Sequence, residues 1–498
     1  MKKVIYIFSL FLIAGMGCTD LTEVLYDKIP AEMYPENDLQ LATLAVPGYA
    51  AFRPLADDEG WWYLAQELTS DELCPPTRDA DWNDGGKWRA IYQHTWNNDV
   101  EGVNNMWAKL FEAVQTCNIK ADFLKALEQN EEIQKKVAEL EVLRAMYYYM
   151  LIDNYGDVPY MTTTVDVPEE PFRNHREEIW DSLVTSLENN LPKLQNIDKK
   201  YLATRPMAFS LLAKLYLNAE VYTGTAQWEK AGVYCDSVIN TGFYTLDPDP
   251  QGPFVTENET NQEIIFSVPY DEDNFKGFRI HMRTLHYQSN LTFDMSVGPW
   301  NGFATLEDHY NSYENGDLRK EKFFLEGQQY TSKGEKIIDA VSFKDLIFTP
   351  HIPALRMDAT NTTAEIRMSG VRPFKYVVKK GAKENLSNDF VVFRLTDIYL
   401  MKAETEIRLN GAGAGDEWID PIRERAEVAL HPGADLTFLL AERGRELFCE
   451  GHRRQDLIRF GQFIKAWWEK AATDASREIF PVPKWASDAN ANLLSDPQ

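Results

Sequence analysis

Two tryptophans, Trp82 and Trp88, stand six residues apart in the stretch TRDADWNDGGKW, among Asp, Asn and Gly with no apolar periodicity. That composition is loop chemistry. A large ring on a polar loop has no obvious core to enter. An indole presented in this way takes the C–H face of a sugar, while neighbouring carboxylate and guanidinium groups take the hydroxyls. Asp71 and Arg78 are the nearby candidates for those polar partners. Trp300, isolated in VGPWNGF, is a second ring of the same kind, and Tyr287 and Tyr310 are further candidates. The competing expectation is that such rings pin the loop to a helical core. We give that role to Trp61, Trp62, Trp96 and Trp107, which lie nearer helical patterns, and ligand contact to Trp82, Trp88 and Trp300.

Signals for catalysis are absent. The chain holds no G-x-S-x-G, no H-E-x-x-H, no Gly-rich phosphate loop and no P-loop. With 77 acidic residues, carboxylate pairs arise by chance everywhere, so a glycosidase-like pair cannot be read out. No EF-hand spacing is present, and Cys74, Cys117, Cys235 and Cys449 show neither CxxC nor zinc-type spacing. We therefore expect no cofactor and assign no metal ligands, with calcium ligation by Asp and Asn of the loops left open. The formal net charge of −26 becomes −28 once the two lysines of residues 1–17 are removed. That excess argues against nucleic acid as a partner and disfavours strongly acidic polysaccharides.

Helical elements must position these residues. Leu140, Leu143, Tyr147, Met150 and Leu151 form a stripe that Asn154-Tyr155-Gly156 and Pro159 bring to an end. Leu211, Leu212, Leu215, Tyr216 and Ala219 mark a second helix, closing near Gly224. Trp228 to Ile239 mark a third, closing at Thr241-Gly242. Leu395 to Leu409 repeats the form and leads into Trp418 to Ala429. Paired amphipathic helices joined by short turns look like tetratricopeptide-type hairpins. Between Asp247 and about Asp389 the helical pattern fails, and only short β-prone pieces stand out, such as Ile264–Val268 and Phe390–Phe393. So long a loop-rich region is expected to be functional, as surface excursions that shape a binding face.

At the N-terminus, Lys2 and Lys3 precede an apolar run from Val4 to Met16. The run is too short to span a bilayer, which takes roughly 20 residues, and reads as a signal peptide over residues 1–17. Cys18 follows Gly17 as in a lipobox, where the thiol is acylated; Gly15 stands where an aliphatic residue is usual. Two or three acyl chains would anchor the protein to a membrane rather than carry it across.

The segment Glu442 to Gly461, ERGRELFCEGHRRQDLIRFG, alternates acids and arginines around a buried stripe of Leu439, Leu440, Leu447 and Phe448. Its groups are expected to form an ionic network between packed helices, with His452 structural rather than a general base. The segment also resembles the C-terminal signature of the SusD/RagB family of Bacteroidetes surface lipoproteins, through Glu442, Arg443, Arg445, Glu446, Leu447, Glu450, Gly451, Arg453, Asp456, Leu457 and Arg459. RAMYYYMLIDNYGDVPY, MAFSLLAKLYLNAE, FRLTDIYLMKAE and the tail FPVPKWASDANANLLSDPQ are similar to family segments. The resemblance implies a mostly α, SusD-like fold of tetratricopeptide-like helix pairs with loop-rich excursions. It implies an N-terminal helical region over 18–245 and a C-terminal region over 246–498, packed as one unit. It further implies a glycan site on the loop introduced by LTSDE, with an added aromatic at Trp300. In function it implies a lipid-anchored protein on the cell outer membrane that captures oligosaccharide or polysaccharide and delivers it to a SusC-like TonB-dependent transporter. The alternatives are an all-α glycoside hydrolase or lyase, and a lid for peptide or other non-glycan cargo.

Overall fold

The computed structural model describes Pro35, residues 37–57 and residues 59–497. The leader and Cys18 lie outside the described residues. Contacts divide the chain at Leu44 into a short first unit and a second unit, Ala45–Gln498, which holds every element below. Among the described residues no helix is long and apolar enough to cross a membrane.

Helix α1 (Trp62–Leu68) precedes two long neighbours, α2 (Glu101–Ala126) and α3 (Glu131–Tyr155), which pack along each other. The start of α3 is fixed by Asn130, whose side chain accepts a hydrogen bond from Ile133 N at 2.9 Å, with Glu131 and Glu132 in the first turn. Its stop falls at Gly156, with φ +70°, as the Asn-Tyr-Gly signal predicts. Helix α4 (Arg176–Asn190) covers α3 from another side. Helices α5 (Arg205–Leu217) and α6 (Trp228–Ile239) pack as the expected hairpin, and α6 packs in turn on α7 (Leu395–Asn410).

Helix α7 carries α8 (Asp416–Arg425) and α9 (Leu436–Glu446). Leu400, Ala403, Ile407, Ile419, Ile422, Leu439 and Leu447 form their shared core. Helix α8 ends four residues earlier than its apolar pattern predicts. Arg425 turns inward to Glu263 and Glu446, and Glu427 takes a left-handed backbone at φ +59° that a helix cannot continue.

Short strands tie the excursions to this framework. Strand β1 (Leu73–Cys74) pairs with β4 (Ala304–Thr305), and β2 (Thr77–Arg78) runs parallel to β7 (Arg356–Met357). The two β-prone pieces read from sequence pair with each other. Strand β3 (Ile264–Val268) lies antiparallel to β8 (Phe390–Arg394), with Phe390 opposite Val268. Both are buried along their whole length, which is why they read as continuous apolar runs rather than alternating ones. A β-arm made by β5 (Gly327–Gln328) and β6 (Ile347–Phe348) projects from the same region.

The charged C-terminal segment forms the expected lattice. Glu442 pairs with Arg319 at 2.7 Å, Arg423 at 2.8 Å and Arg445 at 2.6 Å. Glu446 pairs with Arg319 at 3.1 Å, Arg394 at 3.1 Å and Arg425 at 2.5 Å. Helix α10 (Arg453–Arg459) adds Arg459, bonded to Glu404 and Asp456. All these groups are buried. Burial alone would raise the Glu442 carboxyl, but Arg319 and Arg445 outweigh it and hold the group down at about 2. His452 meets Lys214 through Nδ1 at 2.8 Å and is pulled down to about 4 by burial and by that lysine, a neutral structural imidazole. The four cysteines from Cys74 onward are free and buried.

Candidate functional site

The loop between β2 and the short helix that begins at Lys87 is bent by a run of left-handed residues. Asp79, Trp82 and Asp84 have φ of 60°, 61° and 37°, followed by Gly85 and Gly86 at 65° and 87°. A bulky residue such as Trp82 adopts this conformation only where its surroundings over-determine it. Here they do. The Trp82 Nε1–H donates to the Trp300 carbonyl at 2.8 Å, and the Trp82 ring packs on Phe303 with centroids 5.0 Å apart. A Cβ on Gly302 would stand 2.3 Å from Trp82 Cζ2, so the absence of a side chain there is what admits the indole.

Trp82, Trp88 and Trp300 thereby line one open cavity of about 580 Å³, together with Asp81, Asp84, Lys87, Arg283, Tyr287, Gly298 and Pro299. The volume lies within the usual range for small-molecule sites. The three rings play unequal parts. Trp88 is only 3% exposed, stacked on Trp61 at 4.7 Å and set against Trp82 and Phe303, so it forms the floor. Trp82 and Trp300 are half-buried and present surface to the cavity.

The polar groups are fixed before any ligand arrives. Asp84 accepts from Trp88 Nε1 at 2.6 Å, and Asp81 accepts from the Tyr287 hydroxyl. Burial and the Asp81 carboxylate together push the Tyr287 phenol up to about 12, so it remains a donor at any physiological pH. Lys87 reaches Glu101 at 2.6 Å with its ammonium 4.9 Å from the Trp88 ring centroid. Arg283 is buried, bonded to Asp57 at 2.7 Å, and lies 5.2 Å from the Trp300 centroid. Rings, carboxylates and a phenol in this arrangement suit a polyhydroxylated ligand with apolar ring faces.

Asp71 and Arg78 belong elsewhere, which corrects the expectation that they serve the Trp82 loop. Asp71 accepts both arms of Arg453, at 2.6 and 2.9 Å, and lines a separate cavity of about 190 Å³ with Trp467 and Trp468. Arg78 is buried, and its guanidinium donates to the carbonyls of Ile366 and Ser369 at 2.8 and 2.9 Å. Burial draws its pKa down to about 10, leaving it charged. Sequence proximity misled because strand β2 sends Arg78 inward. Tyr310 is buried beside Phe324, away from the cavity, whereas Tyr287 joins it. Trp61, Trp62, Trp96 and Trp107 are buried, as their helical surroundings predict. The missed residues are Asp81, Asp84, Lys87 and Arg283. The first three share the tryptophan loop and could have been taken with it; nothing in sequence marked Arg283.

Two family models match this chain: residues 355–484 fit the SusD family, and residues 65–217 fit the family described as starch-binding associating with outer membrane. SusD-like protein P25 of Formosa agariphila is 25% identical over 380 residues, spanning 72% of this chain and 70% of that relative. Starch-binding protein SusD of Bacteroides thetaiotaomicron is 24% identical over 486 residues, 86% of this chain and 83% of that protein. In three dimensions, the chain is similar to surface glycan-binding protein A from Bacteroides thetaiotaomicron, solved in complex with laminarihexaose. That match has a TM-score of 0.73 at 19% identity and covers 91% of this chain and 97% of the other. The mostly α, SusD-like fold expected from the sequence is thus the fold observed.

Proposed function

The chain belongs to the SusD/RagB family, and from that premise we propose that it is a cell-surface glycan-binding lipoprotein which captures oligosaccharides and passes them to a SusC-like TonB-dependent transporter. The observation that carries this reading is the open cavity that Trp82 and Trp300 line over the Trp88 floor, flanked by Asp81 and Tyr287. Rings that each contribute modestly give useful affinity while still permitting release toward a pore. The names of the relatives, a starch-binding protein and a glycan-binding protein holding laminarihexaose, support the same ligand class. We read the chain as a binding protein and not an enzyme. Asp81 and Asp84, the carboxylates of the cavity, are both engaged in orienting its aromatic groups. Attachment at the outer membrane is assigned to acylation of Cys18.

The test is calorimetric titration of protein lacking Cys18 against a panel of plant, algal and host polysaccharides, beside the double variant Trp82→Ala, Trp300→Ala. We expect one glycan to bind, the variant to lose at least tenfold in affinity, in line with removal of two stacking rings, and no reducing ends to be released. Release of reducing ends would make the protein a hydrolase or lyase. Absence of binding across the panel would redirect the reading to non-glycan cargo.

A further inference from the structure

We propose that the β-arm over residues 327–348 carries a second contact for the same ligand, with Phe343 at its tip stacking on glycan residues that extend beyond the cavity; this rests on the reading of the cavity as a glycan site. Phe343 is 81% exposed, and Ile338 and Val341 beside it are exposed by more than half. The arm does not need these side chains for its own fold. Its core is made by Ile337, Leu346 and Phe348 on the other side, packed on Met368. An apolar tip that serves no core marks a contact surface.

The tip is also held in a shape it would not choose. Phe343 has φ +59°, a conformation that costs a bulky residue free energy and persists only when the surroundings impose it. Asp339 imposes it. Its buried carboxylate accepts from Ser342 N at 2.7 Å and from Arg367 Nε at 2.9 Å, and its carbonyl accepts from Phe343 N at 2.9 Å.

The groups that brace the arm also build the cavity wall. The Arg367 guanidinium that holds Asp339 lies 4.8 Å from the ring centroid of Tyr287, a cavity residue. The next residue, Gln288, donates to the Ile338 carbonyl at 3.1 Å and accepts from Ala340 N at 2.8 Å. Arm and cavity wall are therefore one braced unit. This continuity selects the occupant: a ligand long enough to leave the Trp82–Trp300 cavity and still meet a ring, which is an oligosaccharide.

The experiment titrates wild type, Phe343→Ala and Phe343→Trp with maltose and maltohexaose, and with laminaribiose and laminarihexaose, after thermal melts have checked that the exposed substitution leaves the fold intact. We expect wild type to hold the six-residue form more tightly than the two-residue form. Phe343→Ala should lose about three- to tenfold of the longer ligand's affinity, the scale of one stacked ring, and nothing of the shorter's. Phe343→Trp should keep the gain. Wild-type binding of a hexasaccharide that Phe343→Ala leaves unchanged overturns the arm alone. If wild type binds neither series nor any glycan of the wider panel, the cavity reading falls, and the arm with it.

Discussion

Gly302 lies against the Trp82 indole so closely that any side chain must move the ring or the Arg283 carbonyl, which would stand 2.7 Å from its Cβ. Gly302→Ala is therefore expected to displace Trp82 without touching ligand itself. Titration should show glycan affinity falling about tenfold, beside a stability loss of about 1–3 kcal/mol typical of overpacking. A second residue-scale consequence concerns two buried carboxyls. Glu67 takes one hydrogen bond, from Gly451 N at 2.7 Å, while among the described residues none hydrogen-bonds its other oxygen or either oxygen of Glu72, which has only the Arg453 guanidinium at 3.7 Å. Burial raises the Glu67 pKa from its ordinary 4.5 to about 8. Between those values the folded state holds a proton that the unfolded chain has released, so the stability this carboxyl contributes falls as pH rises from about 4.5 to 8. Glu67→Gln keeps the acceptor for Gly451 and removes this slope. Its melting temperature should match wild type near pH 5 and exceed it at pH 8 by on the order of 1–3 °C; Glu72, also raised by burial and by Glu67, adds a slope of its own.

At the scale of elements, the ionic lattice around α9 is the feature most sensitive to a single change. Glu446 stands between Arg319, Arg394 and Arg425, and Glu446→Ala would leave three buried guanidiniums sharing too little negative charge. Removing one partner of such a cluster costs about 3–5 kcal/mol. Urea unfolding should show that loss, or the variant should fail to accumulate, whereas Glu417→Ala on exposed α8 surface should stay within about 0.5 kcal/mol of wild type. Helices with a clear apolar stripe were the legible elements of the chain, whereas α2 and α4 went unread. The stop of helix α3 at Gly156 was readable because that cap is made by residues at the end itself. The end of α8 was misplaced because Arg425 answers to Glu263 and Glu446, far away in sequence.

For the molecule as a whole, sequence pattern singled out a loop and an outlying tryptophan that the fold brings to one cavity, but not the side on which each polar neighbour would fall. Trp82 and Trp300 are 218 positions apart, and what joins them is the β1–β4 pairing with one indole-to-carbonyl hydrogen bond. Neither leaves a local signature. Asp71 was taken for a ligand group because it lies near the loop, when its partner is Arg453, 382 residues on. The whole-chain resemblance was more secure than any single site residue, since a signature of eleven positions survives where one side chain's direction does not.

That pairing of Asp71 with Arg453 also fixes an order of events. The lattice draws together groups from Asp71, Arg319, Arg394 and Glu404, and each of them has a partner within Glu442–Arg459. A nascent chain leaves the ribosome from its N-terminus, so the clasp is among the last segments delivered. Until then these groups lack those partners, and charges left short of partners prefer water to a dry interior. The framework can therefore close only once that tail is in place, which makes the C-terminal segment its latch.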